Sequence, residues 1–375
     1  MSNQLNFRLR PYTSTDAHQV VFLINTAALQ TVGFKQAVVD GVGNVRLSRY
    51  TPPTSEKVVV TNAQNEIVGF AYCINGEQGI IGQMGGAVHP DYWGKGIGSS
   101  LVNWAEDRAI AFTKNVPSDI RTVLQTNLYA NEHEAIRLFT AHGFMKVREW
   151  AHLVVELDSP PSVPNLPDGL VIRAMDLDHD WDIVGPSMDD AYADHWGTIP
   201  DEIIEAVVQA QTADEEEDDK EEGDELPEDE SYSNGPGRCF IALDGQTVVG
   251  GVLCNGKLVE RDDTGRIGSL FVRPRYRRQG VARALMLTAF NAFWAAGIVT
   301  MQTPEPVEGG RFRQAQPTGG AEQLPGIKRM ITDTDAESFT DAPKFYRSLG
   351  MQLYRREYLY EKEIRPGREV RRLEP

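Results

Sequence analysis

Val88-His89-Pro90-Asp91-Tyr92-Trp93-Gly94-Lys95-Gly96-Ile97-Gly98-Ser99-Ser100-Leu101 returns, 184 positions later, as Val272-Arg273-Pro274-Arg275-Tyr276-Arg277-Arg278-Gln279-Gly280-Val281-Ala282-Arg283-Ala284-Leu285. Val, Pro, Tyr, Gly and Leu recur in register. Each copy reads as an apolar strand, a turn rich in Gly and cations, and an amphipathic helix. Free backbone N–H groups at such a helix start form a good cradle for phosphate oxygens. Neither copy contains G-x-x-x-x-G-K-[ST] or a full G-x-G-x-x-G, which sets aside a P-loop and a dinucleotide fingerprint. No acidic ribose-binding residue follows at the needed spacing, which disfavours other nucleotide-binding α/β proteins.

Further landmarks repeat outward from this pair. Phe7-Arg8-Leu9-Arg10 matches Leu170-Val171-Ile172-Arg173, with Arg10 and Arg173 163 apart. Glu66 to Tyr72 matches Thr247 to Leu253 at an offset of 181. Ala135 to Phe144 matches Ala342 to Met351 at 207. The two large rises in offset, from 163 to 181 and from 184 to 207, mark insertions in the second copy. The first falls at the acidic block around 212–234, the second at the Pro, Gly and Gln-rich stretch 303–326. The second stretch reads equally as part of a substrate mouth or as a passive loop. Between the copies, Ser159 to Pro167 holds four prolines and reads as an extended linker. The expected organisation is therefore a first domain at 1–158, a linker at 159–168, a second domain at 169–364 and a basic tail at 365–375. Ile97, Leu101, Trp104, Ala105 and Ala109, like Val281, Leu285, Ala289 and Phe293, sit at helical spacing and predict one-sided helices packed on a sheet. The fold class is α/β or α+β: two tandem domains, each a mixed, splayed sheet flanked by helices.

A chain of 375 residues with 41% hydrophobic and 24% charged residues is ordinary for a globular protein. No signal pattern opens it, and no apolar run is long enough for a membrane helix, so a cytoplasmic protein without a membrane partner is expected. Cys73, Cys239 and Cys254 lack ligand-like spacing, so no metal site is expected, and Cys239 and Cys254, in strand-like runs, read as small buried hydrophobes in preference to a disulfide. The net charge of −17 is concentrated: residues 214–230 hold thirteen acids and one lysine, leaving −5 for the rest. Such a block is expected to be a disordered, solvated loop or a docking segment for a basic partner. The overall sign argues against nucleic acid.

The strand–[RQ]-x-x-G-x-[GA]–helix pattern, followed by A-x-x-[LF]-[YF]-x-x-x-G-[FM], resembles the GCN5-related N-acetyltransferase (GNAT) superfamily. The resemblance covers both halves, as in its tandem-domain members. It implies acetyl-CoA as co-substrate, held at Arg277, Arg278, Gln279, Gly280, Val281, Ala282 and Arg283, with the pantetheine arm along Leu270, Phe271 and Val272. It implies Tyr346 as the acid that protonates the departing thiolate. It places His195, in Asp190-Ala191-Tyr192-Ala193-Asp194-His195-Trp196-Gly197, beside the acceptor. In the first copy, Val88, Gly94, Lys95, Gly96, Ile97 and Gly98 form the corresponding cradle. Phe139 there replaces the tyrosine, Trp93 stands at the usual Arg or Gln, and Ser338 replaces the counterpart of Asn131. The second copy is thus expected to be the active one.

Chemistry explains the division. An amine of pKa near ~10.4 is mostly ammonium at neutral pH, and freeing it costs roughly 4–5 kcal/mol, so a base or a desolvating site helps. A thiolate leaving group benefits from a donor, which phenol is and a phenyl ring is not. Glu260, Asp333 and Asp335 compete with His195 as base, and water-mediated transfer stays open. The expected partner is a small-molecule or peptide amine, and the chain is either a monomer or a homodimer. The alternative is a non-catalytic CoA-binding, regulatory tandem module.

Overall fold

The computed structural model describes residues 7–40, 44–47, 55–214, 239–255, 264–298, 329–338 and 340–373. Most of the acidic stretch, the whole of 303–326 and Glu260 lie outside the described residues.

The first half runs β1 (Arg8–Pro11), α1 (Ala17–Thr31), a small hairpin of β2 (Ala37–Val39) and β3 (Val45–Leu47), β4 (Glu56–Thr61), β5 (Ile67–Gly76), β6 (Ile81–Val88), α2 (Ile97–Phe112), β7 (Thr122–Tyr129), α3 (His133–Ala141) and β8 (Met145–Glu156). The second runs β9 (Leu170–Ala174), α4 (Trp181–Tyr192), α5 (Asp201–Asp214), β10 (Phe240–Asp244), β11 (Thr247–Asn255), β12 (Thr264–Val272), α6 (Val281–Ile298), β13 (Arg329–Asp335), α7 (Ala342–Ser348) and β14 (Gln352–Arg365). The repeat extends to side chains. Arg10 grips Asp16 at 2.7 and 2.8 Å, and Arg173 grips Asp180 at 2.5 and 2.8 Å, each time tying a first strand to the start of the next helix. The helix periodicities hold: Val281, Leu285, Ala289 and Phe293 are all at most 1% exposed.

The two halves share one 12-stranded sheet, in the order β1-β4-β5-β6-β7-β14-β8-β13-β12-β11-β10-β9. Around its centre the strands are exchanged. β14, the last strand of the chain, lies between β7 and β8, while β8 pairs with β13 of the second half. The cores are exchanged too. Tyr358, Tyr360 and Ile364 of β14 pack with Phe139, Phe144 and Leu124 of the first half. Leu153 and Leu157, in and just after β8, pack with Leu285, Phe293 and Met330 of the second. The two domains expected at 1–158 and 169–364 therefore share one continuous sheet and exchange strands at its centre. A lone first half would leave β7 without one of its two neighbours and β8 without either of its own.

The basic tail packs against both halves. Arg365 donates to the carbonyls of Thr113, Val116, Pro117 and Ile120 in the first half. Arg371 is 7% exposed and pairs with Glu361 and Glu369. Its charge is neutralised locally, as a buried guanidinium requires. The three cysteines are free and buried. Among the described residues, no helix is long and apolar enough to cross a membrane.

Candidate active site

Each half places a parallel strand pair around its Gly-rich loop, and each pair opens. β6 and β7 are bonded only from Ile81/Val123 to Gln83/Gln125. β12 and β13 are bonded from Thr264/Arg329 to Ile267/Thr332. Beyond those points the strands part, so that β6 and β12 each border a gap in the sheet. The loop follows: Gly96 and Gly280 cap α2 and α6 with φ of +84° and +89°. Gly94 and Arg278, 184 positions apart, both hold positive φ, at 72° and 64°. A Cβ on Gly94, Gly96 or Gly280 would meet nothing within 4 Å, so the loop surface is open. The first amides of α2 and α6 have no acceptor within their helices and follow directly on those open glycines. Both loops therefore have the form needed to hold a pyrophosphate. Val88 closes β6, and Lys95, Ile97 and Gly98 continue its cradle.

The second half differs at its strand. β12 skips a register step against β11 between Leu253/Ser269 and Cys254/Ile267, so Gly268 bulges out. β6 runs against β5 in unbroken register from Gly69/Val88 to Gly76/Ile81. A bulge bends its strand and re-aims the neighbouring groups. Here it falls one residue past the last β12–β13 bond. The Ser269 hydroxyl, on its far side, shares a 2.6 Å hydrogen bond with the Tyr192 hydroxyl. Leu270, Phe271 and Val272 follow along the open edge.

Tyr346 comes from α7 to the point of divergence. It is 6% exposed and packed in the second-half core. Its phenol hydrogen-bonds the Thr332 side chain, which itself donates to the Ile267 carbonyl at 3.2 Å across the last strand pair. Burial raises its pKa, and Tyr192 and Asp333 add to the rise. The group stays a protonated donor. Phe139 occupies this place in the first half, 7% exposed between α2 and α3, and Leu29 stands 163 positions before Tyr192.

His195 follows the end of α4. Its ring lies edge-on to Tyr192 at 4.8 Å, and Asp194 accepts from Nδ1 at 3.2 Å. Burial lowers its pKa; Asp194 and Asp335 oppose that. The imidazole is therefore neutral at neutral pH and able to accept a proton. Asp333 and Asp335 project from one face of β13 and are held by Arg266 at 2.6 Å and Arg148 at 2.7 Å. Arg148, a first-half residue, also lies over the Trp196 ring at 5.0 Å.

The loop cations divide. The Arg277 guanidinium faces away from the phosphate cradle: it donates to Asp194 at 2.5 and 3.0 Å, to the Ala191 carbonyl at 2.8 Å and to the Val272 carbonyl at 3.2 Å. These bonds tie the loop to the segment bearing His195. Gln279 donates to the Arg275 carbonyl. Arg278 is largely exposed, and Arg283 reaches the end of α7 at Ser348. Asn131 donates to the Thr31 carbonyl at 2.7 Å, and Ser338 bonds Thr340, so neither side chain is turned to a cradle.

Known proteins agree with this architecture. Residues 204–306 match the acetyltransferase (GNAT) family, and residues 54–146 match an acetyltransferase (GNAT) domain. The chain is 31% identical over 142 residues to a mycothiol acetyltransferase of Saccharopolyspora erythraea, covering 37% of this chain and 47% of that protein. The match thus spans about half the length of that relative. A GCN5-related N-acetyltransferase from Sphaerobacter thermophilus superposes with TM-score 0.67 at 24% identity, over 97% of this chain and 98% of its own. A tandem GNAT protein from the clavulanic acid biosynthesis pathway superposes with TM-score 0.62 at 14% identity, over 97% and 100%. With two family matches, a doubled loop and a twice-opened sheet, the chain belongs to the GNAT acetyltransferase superfamily and carries two of its domains in tandem.

Proposed function

We propose that this chain transfers an acetyl group from acetyl-CoA to a primary amine, and that the chemistry takes place in the second half. One observation carries the choice of half: the Gly268 bulge, the end of β12–β13 pairing and the buried Tyr346 phenol coincide there, and the first half has none of the bulge, the phenol or Tyr192. The loop around Gly280 and the first turn of α6 hold the pyrophosphate through main-chain amides. The freed edge at Ser269 and Leu270 takes the pantetheine arm and polarises the thioester carbonyl. His195 accepts the proton that the amine loses, directly or through water. As the amine nitrogen bonds to the carbonyl carbon, the carbon–sulfur bond breaks, and the Tyr346 O–H gives its proton to the leaving sulfur. The products are the N-acetyl amine and CoA thiol. The first half, with its open Gly94–Gly96 loop and Phe139, fits a CoA-binding role without chemistry.

The test is thiol release from acetyl-CoA across a panel of amines. Tyr346→Phe should lower kcat by about 10²-fold, the scale of a lost general acid, with the KM for acetyl-CoA within about twofold. Unchanged kcat sinks the assignment of the acid. Calorimetric CoA binding without thiol release for any amine favours the binding-module alternative.

A further inference from the structure

Beyond β14 the chain crosses from the first half back to the second. Gly367 lies flat on the 119–121 turn: a Cβ there would stand 2.6 Å from backbone atoms of Asp119, Ile120 and Arg121. The Arg368 amide donates to the Asp119 carbonyl at 2.6 Å, and the Arg121 amide to the Arg368 carbonyl at 3.0 Å. Val370, 8% exposed, enters an apolar patch with Ile80, Val116 and Ile120, which also receives Ile199 and Val207. Arg371 and Arg121 share the Glu361 and Glu369 carboxylates, and these bonds hold Glu369 at a pKa of about 2 chiefly against its burial.

From this anchor the Arg372 main chain reaches the turn that follows His195. Its N–H donates to the Thr198 carbonyl at 2.8 Å, and its carbonyl accepts from the Gly197 amide at 2.7 Å. Within the turn, the His195 N–H donates to the Tyr192 carbonyl at 2.9 Å, the Thr198 N–H to the His195 carbonyl at 3.4 Å and the Thr198 hydroxyl to the Tyr192 carbonyl at 3.1 Å. Asp194 and Trp196 are held from other sides, by Arg277 and Arg148.

We infer that residues 367–372 form a strap that fixes the His195–Thr198 turn against the first half and so positions His195 in the second-half cleft. The inference rests on the reading of that cleft as the acetyl-transfer site. A turn tied to a neighbouring segment by two main-chain bonds opens more readily when those bonds are removed. The His195 and Trp196 rings would then lose their orientation, while the Gly280 loop, held by α6, would not.

The strap is tested in the full-length protein with Arg372→Pro, which removes the N–H, beside Arg372→Ala, which keeps the main chain. A chain ending at Arg371 removes both bonds by another route and leaves Val370 and the Arg371 network in place. Amide hydrogen exchange across 193–199 should rise roughly tenfold in Arg372→Pro and in the shortened chain, the scale set by one to two net hydrogen bonds, and stay unchanged in Arg372→Ala. The kcat/KM for the amine should fall roughly tenfold in the same two variants, with acetyl-CoA affinity by calorimetry within about twofold. Unchanged exchange in both overturns the strap, as does an equal effect in Arg372→Ala. Raised exchange with unchanged amine kcat/KM overturns the positioning role. If the unaltered protein releases no thiol with any amine, the acetyl-transfer reading fails, and the exchange data alone decide whether the strap exists.

Discussion

Trp93 and Arg277, 184 positions apart, make the same hydrogen bond with different chemistry. The indole N–H of Trp93 donates to the Val88 carbonyl at 2.8 Å, and the Nε–H of Arg277 donates to the Val272 carbonyl at 3.2 Å. Lys95 and Gln279 repeat the substitution, donating to the Asp91 and Arg275 carbonyls at 2.7 and 2.8 Å. The loop requires a donor at each place and tolerates any group that supplies one. What Trp93 lacks is the remaining fork, which in Arg277 holds Asp194 and the Ala191 carbonyl. Arg277→Trp should therefore keep the loop closed and release the His195 segment. Acetyl-CoA affinity should stay within about threefold, while kcat/KM for the amine falls about tenfold, the scale of a lost charge-assisted hydrogen bond. Calorimetry with amine kinetics checks this; a large loss of acetyl-CoA affinity with intact amine kinetics would refute it.

Gly280 has room for a side chain but not the backbone for one. Its φ of +89° places an L-residue in the left-handed region at a cost of roughly 1–2 kcal/mol, while its Cβ would touch nothing within 4 Å. Gly280→Ala should thus lower the unfolding free energy in urea by about 1–2 kcal/mol. Gly280→Val should in addition weaken acetyl-CoA binding, since the added methyls would enter the proposed pyrophosphate cradle. Gly96→Ala, at φ +84°, should show the same stability loss and leave turnover unchanged. Equal turnover losses at the two glycines would count against a single active half.

The bulge was within reach of the sequence. Gly82 and Gly265 occupy equivalent places under α2 and α6, 183 positions apart, whereas Val88 and Val272 are 184 apart. One residue enters within the strand, and that residue is Gly268. Matching only the ends of the repeat hides it. Tyr192 was legible as a residue and not as a partner of Ser269, because its role depends on how α4 crosses β12. The strand exchange left no local signal at all: β8 and β14 carry the right pattern for a central strand, and which neighbour each takes is decided by the whole sheet. The partners of Arg277 and of 367–372 were not legible for a related reason. Positive charge in sequence says nothing of which carboxylate or carbonyl lies within reach.

The titrating groups set a direction for pH. Tyr346 is raised by burial, so it remains protonated and imposes no loss of acid function through the neutral range. His195 is lowered by burial, so it stays neutral and basic below the usual imidazole value of 6.5. The acidic limb of kcat/KM for the amine should have its midpoint below pH 6.5 and should vanish in His195→Asn. The basic limb should track the amine: an acceptor of lower pKa should shift it downward. An acidic midpoint well above 6.5 would exclude a buried imidazole as the base.

Stability at low pH should follow Asp16. The Arg10 hydrogen bonds lower its pKa from 3.8 to about 2. The folded carboxyl therefore binds its proton less readily than the unfolded one, so the stabilisation is present above pH 4 and is lost as pH falls toward 2. The shift corresponds to on the order of 2 kcal/mol. Asp16→Asn should cost about that amount at pH 7 and flatten the stability profile between pH 4 and 2, as measured by urea unfolding at stepped pH.

Strand exchange makes a prediction about cutting the chain. Residues 1–158 lack β14, which separates β7 from β8 and supplies Tyr358, Tyr360 and Ile364 to the first-half core. Tyr360 is 8% exposed and Leu153 fully buried, and removing such a side chain from its core costs about 1.5–3 kcal/mol. Several such losses, added to an open edge on β7, exceed what a domain of this size can spare. Residues 1–158 expressed alone should show no cooperative thermal transition by circular dichroism and should aggregate on gel filtration through the exposed strand edge. Residues 159–375 alone should fail likewise, since β13 would lose β8. Co-expressed, the two pieces should assemble into a 1:1 complex with a single transition, because every strand then finds its neighbour without a continuous linker. A first half that folds by itself as a monomer would mean that β8 can turn back onto β7, and that the exchange is a choice between two pairings and not a requirement of the fold.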